Sequence, residues 1–167
     1  MITEFRGQYR FCSNFFLTEQ KLSYNGTIVR YASNEHFFQA NKAKNWPQHL
    51  SIANASEPRI AKWMGSRKGY TMPDGTLFKV DLRDNWPDLR DLVMTIGVDA
   101  KFDQNVTIAK LLVNTYPEEL QEGNWWGDDY WGVSFKTKKG LNRLGKITMN
   151  KRALLIQQGM APEGGTQ

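Results

Sequence analysis

The dipeptide Asn25-Gly26 constrains the local fold of this chain more than any other feature. It stands between Lys21-Leu22-Ser23-Tyr24 and Thr27-Ile28-Val29-Arg30-Tyr31, two short segments rich in strand-forming residues. Both central positions of a two-residue type I′ turn need a positive φ, which Asn and Gly adopt at little cost. The sequence therefore predicts a β-hairpin near the start of the chain.

Downstream of the hairpin, helical signals dominate. A helix is predicted over residues 34–45, because Ser33 is a good N-cap and Trp46-Pro47 disfavours continuation. Further helices are predicted over 48–55, over 58–64, from Pro87 with Leu89, Leu92, Val93 and Ile96 facing inward, from Asn105, and over 142–158. A short strand is predicted within 130–135, and residues 65–76 are predicted to form a mobile loop. The expected fold class is α+β, a mostly helical single domain over residues 1–158 with a small N-terminal β-hairpin or sheet, followed by a disordered tail at 159–167.

Composition narrows the class of protein. A length of 167 residues suits one domain, and the single cysteine, Cys12, favours a reducing compartment, so a cytoplasmic location is expected. No signal peptide, membrane span, zinc-type Cys/His spacing or Gly-rich phosphate loop is present in the sequence, so we expect no metal, no cofactor, no membrane association and no obligate protein partner. The net charge of +5 and the aromatic content of 13% favour a ligand with phosphates and a flat ring.

Polar residues recur on one face of the helix predicted at 34–45. At about 100° per residue, Glu35, Gln39, Lys42 and Trp46 share a face that Phe38 and Ala43 flank. Charged groups on an apolar face are costly unless they are paired or used in chemistry. The face is therefore either a functional site, with Glu35 as a base and Lys42 as a nucleophile of lowered pKa, or a solvated surface stripe.

Two later segments also carry functional residue types. The run from Gly123 to Gly132 places Asp128 and Asp129 among four aromatic residues, which suits stacking on a ring and contact with a ribose hydroxyl; its alternative interpretation is a tight turn with a core Trp. The run from Gly140 to Lys146 combines glycines, a helix start and two cations, which is typical of a phosphate site and also of a plain helix N-terminus.

Six short motifs, taken in order, resemble the NADAR family of YbiA-like N-glycosidases, which are associated with NAD and ADP-ribose. The matching segments run from about Phe5 to Leu155 and are Phe11-Cys12-Ser13-Asn14-Phe15-Phe16, Glu35-His36-Phe37-Phe38-Gln39-Ala40-Asn41-Lys42-Ala43, Asp84-Asn85-Trp86, Ala100-Lys101-Phe102-Asp103-Gln104-Asn105, Asp128-Asp129-Tyr130-Trp131-Gly132 and Gly140-Leu141-Asn142-Arg143-Leu144-Gly145-Lys146. Cys12 stands where the family usually has leucine, Asn85 stands where it often has Asp, and the pair Trp125-Trp126 departs from the family pattern.

The resemblance implies hydrolysis of a ribose–nitrogen bond. It implies two substrate classes: ADP-ribose attached to guanine, including ADP-ribosylated DNA or RNA, or a phosphorylated ribosylamino-pyrimidine of riboflavin synthesis. It implies catalytic roles for Glu35, Lys42 and Asp128, the lysine acting in one route as a covalent imine. The implied substrate-binding residues are Ser13, Asn14, Phe15, Gln39, Trp86, Lys101, Trp131, Gly132, Asn142, Arg143, Gly145 and Lys146, with the two tryptophans on a base and Asn142, Arg143 and Lys146 on phosphate.

Two interpretations from other classes remain open at this point. A non-catalytic ADP-ribose-binding module would need the aromatic and phosphate contacts but neither Glu35 nor Lys42. A nucleic-acid-binding domain would suit the basic charge and the aromatics, and its affinity would fall steeply with salt.

Overall fold

The computed structural model describes residues 1–163. The chain forms two compact units, one made of Leu17–Lys101 and the other of Met1–Phe16 together with the chain from Phe102 onward. Within residues 1–163 there are six α-helices, a short 3₁₀ helix and three two-stranded sheets, which confirms the mostly helical α+β class. Of the predicted disordered tail, residues 164–167 lie outside the described part, whereas the backbone N–H of Glu163 donates to Asn114 Oδ1 at 2.7 Å.

The unit Leu17–Lys101 begins with the predicted hairpin. Strand β1 (Gln20–Tyr24) pairs antiparallel with β2 (Thr27–Tyr31). Asn25 and Gly26 have φ values of 48° and 79°, as the turn requires. The hairpin prediction is therefore confirmed, and one face of the hairpin contributes Val29 and Tyr31 to the core of this unit.

Three short helices follow: α1 (Asn34–Ala40), α2 (Trp46–Ala53) and α3 (Pro58–Met64). The N-cap at Ser33 and the bounds of α3 were predicted correctly, but the extension of α1 to residue 45 is wrong. The chain turns at Asn41, whose Nδ2 donates to the carbonyl of Phe37 at 2.8 Å, and Ala43 forms a bridge with Leu82. Asn45 then caps α2 by accepting from Gln48 N, so Trp46 begins a helix rather than ending one.

Residues 65–76 do not form an irregular loop along their whole length. Tyr70–Thr71 (β3) pairs with Leu77–Phe78 (β4) across the predicted turn at 72–75. Helix α4 (Trp86–Asp103) follows, and its predicted inward stripe is partly wrong, because Leu92 is 57% exposed and Ile96 is 42% exposed. Met94 and Val98 are buried instead, and Gly97 brings α4 against α1, since a Cβ there would lie 2.0 Å from Asn34 Oδ1.

The second unit combines the first residues of the chain with the last helices. The 3₁₀ helix Gly7–Cys12 buries Phe11 and Cys12. It is joined by α5 (Val106–Val113), by the parallel pair β5 (Gly123–Asn124) and β6 (Val133–Ser134), and by α6 (Arg143–Gln157). Ile2 bridges Leu120, with Ile2 N donating to Glu119 O and Gln121 N donating to Ile2 O, each at 2.8 Å.

Candidate active site

Glu35 and Gln39 lie one turn apart on α1 and are almost fully buried. Glu35 is 6% exposed and Gln39 is 5% exposed. Gln39 Nε2 donates to Glu35 Oε1 at 2.7 Å, which fixes the orientation of the carboxylate. The predicted polar face of this helix is therefore buried, and the solvated-stripe interpretation is wrong for these two residues.

Lys42 lies just beyond the end of α1, in the turn that follows Asn41. Its Nζ donates to the carbonyl of Gly65 at 3.1 Å and lies 5.6 Å from the centre of the Phe38 ring. Trp46, predicted on the same face, belongs to α2 and stacks on Tyr24 with 5.3 Å between ring centres. The structure thus groups Lys42 with Phe38 and Gly65, and removes Trp46 from the predicted face.

The electrostatic environment of Lys42 favours a reactive amine. Burial lowers the pKa of Lys42 from 10.5 to about 8, the Glu35 carboxylate acts in the opposite direction, and the Lys62 ammonium lowers it further. With a pKa of about 8, about one amine in ten is neutral at pH 7, against about one in three thousand for an ordinary lysine. A lysine whose amine is partly neutral can act as a nucleophile toward a carbonyl-like carbon.

Gly65 is a contributor that the sequence analysis missed. Its carbonyl receives Lys42, and a Cβ at this position would lie 2.0 Å from Gln39 Oε1. Gly65 follows α3 directly and was assigned only to a loop. The available signal was its place as the residue after a helix, which marks a turn but does not reveal the close approach to α1.

Two further predicted residues of this unit are buried. Trp86, at the start of α4, is 7% exposed and packs edge-on against Phe38 with 5.1 Å between ring centres. Lys101 is 1% exposed near the end of the same helix. Trp86 therefore supports the helix that carries Glu35, and its predicted stacking on a base remains a prediction.

In the other unit, Asp128 lies in a loop organised by the buried Asn124. Asn124 Oδ1 accepts from the backbone N–H groups of Gly127 (3.0 Å) and Asp128 (2.9 Å), and its Nδ2 donates to Asp128 O at 2.7 Å. Asp128 Oδ1 in turn accepts from the backbone N–H groups of Tyr130 (3.1 Å) and Trp131 (2.9 Å). Within residues 1–163 its second oxygen, Oδ2, makes no hydrogen bond, which leaves one oxygen for a ligand.

Four backbone N–H groups at the start of α6 are already used in contacts with the Asp128 loop. The N–H groups of residues 141–144 donate to the carbonyls of residues 129–132, the shortest being Leu141 N to Asp129 O at 2.7 Å. Both amide atoms of Asn142 are also used, since Glu122 N donates to Oδ1 and Nδ2 donates to Leu120 O. The helix start therefore closes the Asp128 loop, and phosphate binding by this segment remains a prediction.

The two cationic side chains near the start of α6, Arg143 and Lys146, lie in different environments. The Arg143 guanidinium lies 4.7 Å from the centre of the Tyr130 ring, which itself packs edge-on against Trp131 at 5.0 Å. Lys146 is exposed. Gly132 and Gly145 are glycines for packing reasons, because a Cβ at either would lie within 2.3 Å of a backbone carbonyl. Their roles in binding substrate remain predictions.

The segment Ser13–Phe15 borders an open groove of about 440 Å³ in the same unit. Ser13 Oγ accepts from Phe15 N at 3.2 Å, and Phe15 is 39% exposed. The Arg10 guanidinium lies 5.9 Å from the centre of the Phe16 ring. The groove is lined by Phe5, Arg6, Gly7, Arg10, Ser13, Phe15 and Phe16. Arg6 and Arg10 were not predicted, because nothing in their spacing marks them.

Residues 1–163 contain neither a helix able to span a membrane nor a cluster of metal-binding side chains. None of the helices in the described part of the chain is both long and apolar enough to cross a membrane. Across residues 1–163, no three or more His, Cys, Asp or Glu side chains are grouped so that they could hold a metal ion.

Comparison with known proteins agrees with the motifs found in the sequence. The NADAR domain family matches residues 4–156. The N-glycosidase YbiA proteins of Shigella boydii serotype 4 and of Escherichia coli K12 are each 33% identical to this chain over 125 residues, which cover 75% of this chain and 71% of the relative. The NMR structure of the Escherichia coli protein YbiA superimposes with a TM-score of 0.75 at 29% identity, covering 100% of this chain and 92% of the other. This chain therefore belongs to the NADAR-domain family and is an enzyme of the N-glycosidase class.

Proposed function

We propose that the protein removes ADP-ribose from ADP-ribosylated guanine in nucleic acid by cleaving the bond between ribose C1′ and nitrogen. The observation that carries this proposal is the buried pair of Glu35 and Gln39 beside Lys42. A carboxylate held by an amide, next to an amine that is partly neutral at pH 7, provides a base and a nucleophile.

Two chemical routes use these groups. In the hydrolytic route, Glu35 accepts a proton from water while the water oxygen bonds to C1′ and the C1′–N bond breaks. The departing nitrogen takes up a proton, and positive charge develops on the sugar, as in other glycoside hydrolyses. Asp128 Oδ2 would stabilise that charge or bind a ribose hydroxyl.

In the covalent route, the sugar ring opens and the neutral Lys42 amine adds to C1′. The base leaves with a proton, and C1′ remains attached to Nζ as an imine. Water then adds to C1′, the C1′–Nζ bond breaks, and the free sugar and lysine are restored. Borohydride would reduce the imine to a stable secondary amine, so only this route leaves a sugar adduct on the protein.

The ADP-ribose assignment is supported by chemistry away from the bond that breaks. Arg143 and Lys146 are cations on α6, and Trp131 and Tyr130 offer aromatic rings in the same unit. The groove beside Ser13 adds two arginines and three phenylalanines. A dinucleotide-like ligand with two phosphates and an adenine needs such groups more than a small ribosyl phosphate does.

The test compares two substrates by mass spectrometry: an oligonucleotide with ADP-ribosylated guanine and the phosphorylated ribosylamino-pyrimidine. Wild type should release ADP-ribose from the first, and Glu35→Gln should lower this rate at least about 100-fold. Glu57→Gln is the matched control, because Glu57 is exposed and its carboxylate forms an ion pair with Arg59 at 3.5 Å on the surface. Cleavage of the pyrimidine substrate alone would move the assignment to riboflavin intermediates. Tight binding of ADP-ribose without any cleavage would favour the non-catalytic module.

A cytoplasmic location is part of the same proposal. It is supported by the sequence, whose single cysteine excludes an internal disulfide, and by the burial of Cys12 as a free thiol.

A further inference from the structure

Two adjacent tryptophans are exposed beside the loop that carries Asp128. Trp125 is 57% exposed and Trp126 is 56% exposed. Large aromatic rings at neighbouring surface positions are costly to leave in water, and they mark binding surfaces more often than scattered apolar residues do. No catalytic or phosphate-binding role assigned above uses either tryptophan.

The backbone holds this pair in a defined position. Trp125 follows Asn124 at the end of β5, and the buried Asn124 side chain ties the turn at Gly127 and Asp128. Gly127 has a φ of 86°, which lets the turn close directly after the pair. The Trp125 ring packs against Phe135 with 5.1 Å between ring centres at a tilt of 49°. The rings are therefore presented by an ordered loop.

Three lysines follow Phe135, the residue whose ring packs against Trp125. The segment after β6 turns back on itself, with Lys138 N donating to Ser134 O (2.8 Å) and Ser134 N donating to Lys139 O (2.9 Å). The Lys138 ammonium lies 5.7 Å from the centre of the Phe135 ring. Lys136, Lys138 and Lys139 are all exposed. From Tyr130 to Lys146 the sequence contains no acidic residue, and its basic residues are Lys136, Lys138, Lys139, Arg143 and Lys146.

We propose that Trp125, Trp126, Phe135, Lys136, Lys138 and Lys139 form an aromatic–lysine surface that docks single-stranded nucleic acid. Exposed aromatic rings stack on bases of any sequence, and lysines beside them contact the phosphates. Three exposed lysines in the segment after Phe135 favour a polyanion over a protein partner, and a duplex would keep its bases inaccessible to the rings. The proposal concerns docking of the strand and stands independently of which bond the enzyme cleaves.

The test measures binding of a fluorescein-labelled, unmodified 12-nucleotide single-stranded DNA by anisotropy across a range of salt concentrations. Trp125→Ala and Trp126→Ala should each weaken binding by at least about fivefold, because stacking on one aromatic ring contributes this much or more. Trp63→Ala is the matched control, since Trp63 is 45% exposed, stacks on Tyr70 at 5.8 Å and has Arg59 over its ring, yet belongs to the other unit. Its affinity for DNA should equal that of wild type.

A second variant tests the proposal while leaving the Trp125–Phe135 contact intact, so that misfolding of a tryptophan variant cannot account for both results. Lys138→Gln should keep the near-ultraviolet circular dichroism of wild type and reduce the slope of log affinity against log salt by about 0.7. Lys110→Gln, at an exposed lysine of α5, should leave that slope unchanged. Wild-type affinity for the single strand in both tryptophan variants, or an affinity of wild type for a 12-base-pair duplex equal to that for the single strand, would overturn the proposal. If Lys138→Gln weakens binding to DNA but not to heparin, the result would support the proposal. If every variant loses heparin binding and DNA binding equally, the result would instead indicate a surface for acidic polymers in general.

Discussion

Glu35 and Asp128, the two carboxylates proposed for catalysis, are held in opposite ways. Glu35 is almost fully buried and is oriented by a side chain, Gln39. Asp128 is partly exposed and is oriented by two backbone N–H groups. The contact from Gln39 to Glu35 depends on the position of a side chain, whereas the backbone donors to Asp128 move only if the loop itself rearranges. Substitutions near Gln39 are therefore expected to disturb its contact with Glu35, and the contacts of Asp128 are expected to persist unless its loop changes.

The two carboxylates also differ in what surrounds them. Glu35 acts electrostatically on Lys42, whose pKa is lowered to about 8 mainly by burial. The backbone groups around Asp128 do not titrate. Proton transfer and nucleophilic attack are therefore expected at Glu35 and Lys42, and charge stabilisation is expected at Asp128.

The largest effect is expected at Lys42. Lys42→Arg keeps the positive charge but cannot supply a neutral amine, so it should lower kcat at least about 100-fold in the covalent route. The wild-type rate should rise with pH and level off above about 8, because the neutral fraction of Lys42 grows until its pKa is passed. Steady-state kinetics from pH 6 to 9 and borohydride trapping followed by intact mass provide the readout.

Lys44 supplies the control for that measurement. It is two residues away, exposed, and bonded to Asp84 at 3.0 Å, which raises its pKa. Lys44→Arg should keep wild-type activity and the borohydride adduct. Full activity in Lys42→Arg would exclude the covalent route and leave the hydrolytic route through Glu35.

The next effect tests whether Asp128 acts by charge or by holding its loop. Asp128→Asn keeps an oxygen for the N–H groups of Tyr130 and Trp131 but removes the charge, so it should lower kcat by about 100-fold with little change in the urea midpoint. Asp128→Ala also removes the backbone contacts and should cost about 1 kcal/mol of stability in addition. Equal kcat for wild type and Asp128→Asn would reduce Asp128 to a structural residue.

Acid sensitivity is expected to arise at His49, in the unit that contains Glu35. His49 is fully buried, its Nε2 lies 2.7 Å from Tyr31 Oη, and burial together with Arg83 lowers its pKa from 6.5 to about 4. Because the folded-state pKa lies below the unfolded-state value, the stability contribution is complete above pH 6.5 and is lost as the pH falls toward 4. Lowering the pH from 7.5 to 5.0 should therefore cost about 2 kcal/mol through this group.

Urea unfolding of wild type and His49→Gln at both pH values checks this expectation. The variant should lose about 2 kcal/mol less than wild type on acidification. Burial also lowers the pKa of His36, which acts in the same direction and remains in the variant. An identical loss in both proteins would show that His49 does not carry the acid sensitivity.

The smallest effect tests the dependence of Glu35 on its neighbours. Gly65 has a φ of −81°, so alanine is allowed by the backbone, but its Cβ would collide with Gln39 Oε1. Gly65→Ala should cost about 1 kcal/mol or more and lower activity by displacing Gln39 from Glu35. In the double variant with Gln39→Ala, stability should partly recover while activity should not. Wild-type activity in Gly65→Ala would mean that the Gln39 contact does not orient the catalytic carboxylate.

Local signals in the sequence predicted much of the fold. Asn25-Gly26 and Pro58 fix a turn and a helix start through their own backbone preferences, and both were placed correctly. The end of α1 was missed because the bridge from Ala43 to Leu82 depends on a segment about 40 residues away. The inward face of α4 was misjudged for a similar reason, since Gly97 is determined by its contact with α1.

At the candidate site, too, features set by local sequence were predicted, and features set by distant contacts were missed. Glu35 and Gln39 were predicted from helical spacing, and their burial agrees with it. Gly65 and the occupied N–H groups at the start of α6 could not be predicted, because each depends on which distant backbone approaches. Composition and spacing identify residue types capable of chemistry, but the availability of a donor is decided by tertiary contacts.

The division of the chain into two units has a consequence for folding during synthesis. Leu17–Lys101 is continuous, so all of its contacts become possible once residue 101 has left the ribosome. The other unit combines Met1–Phe16 with residues that follow 101, and it needs Ile2 to reach Leu120. The first sixteen residues therefore cannot complete their contacts until the last helices have been synthesised, and until then their apolar side chains are exposed. Chaperone binding during translation is expected at this segment.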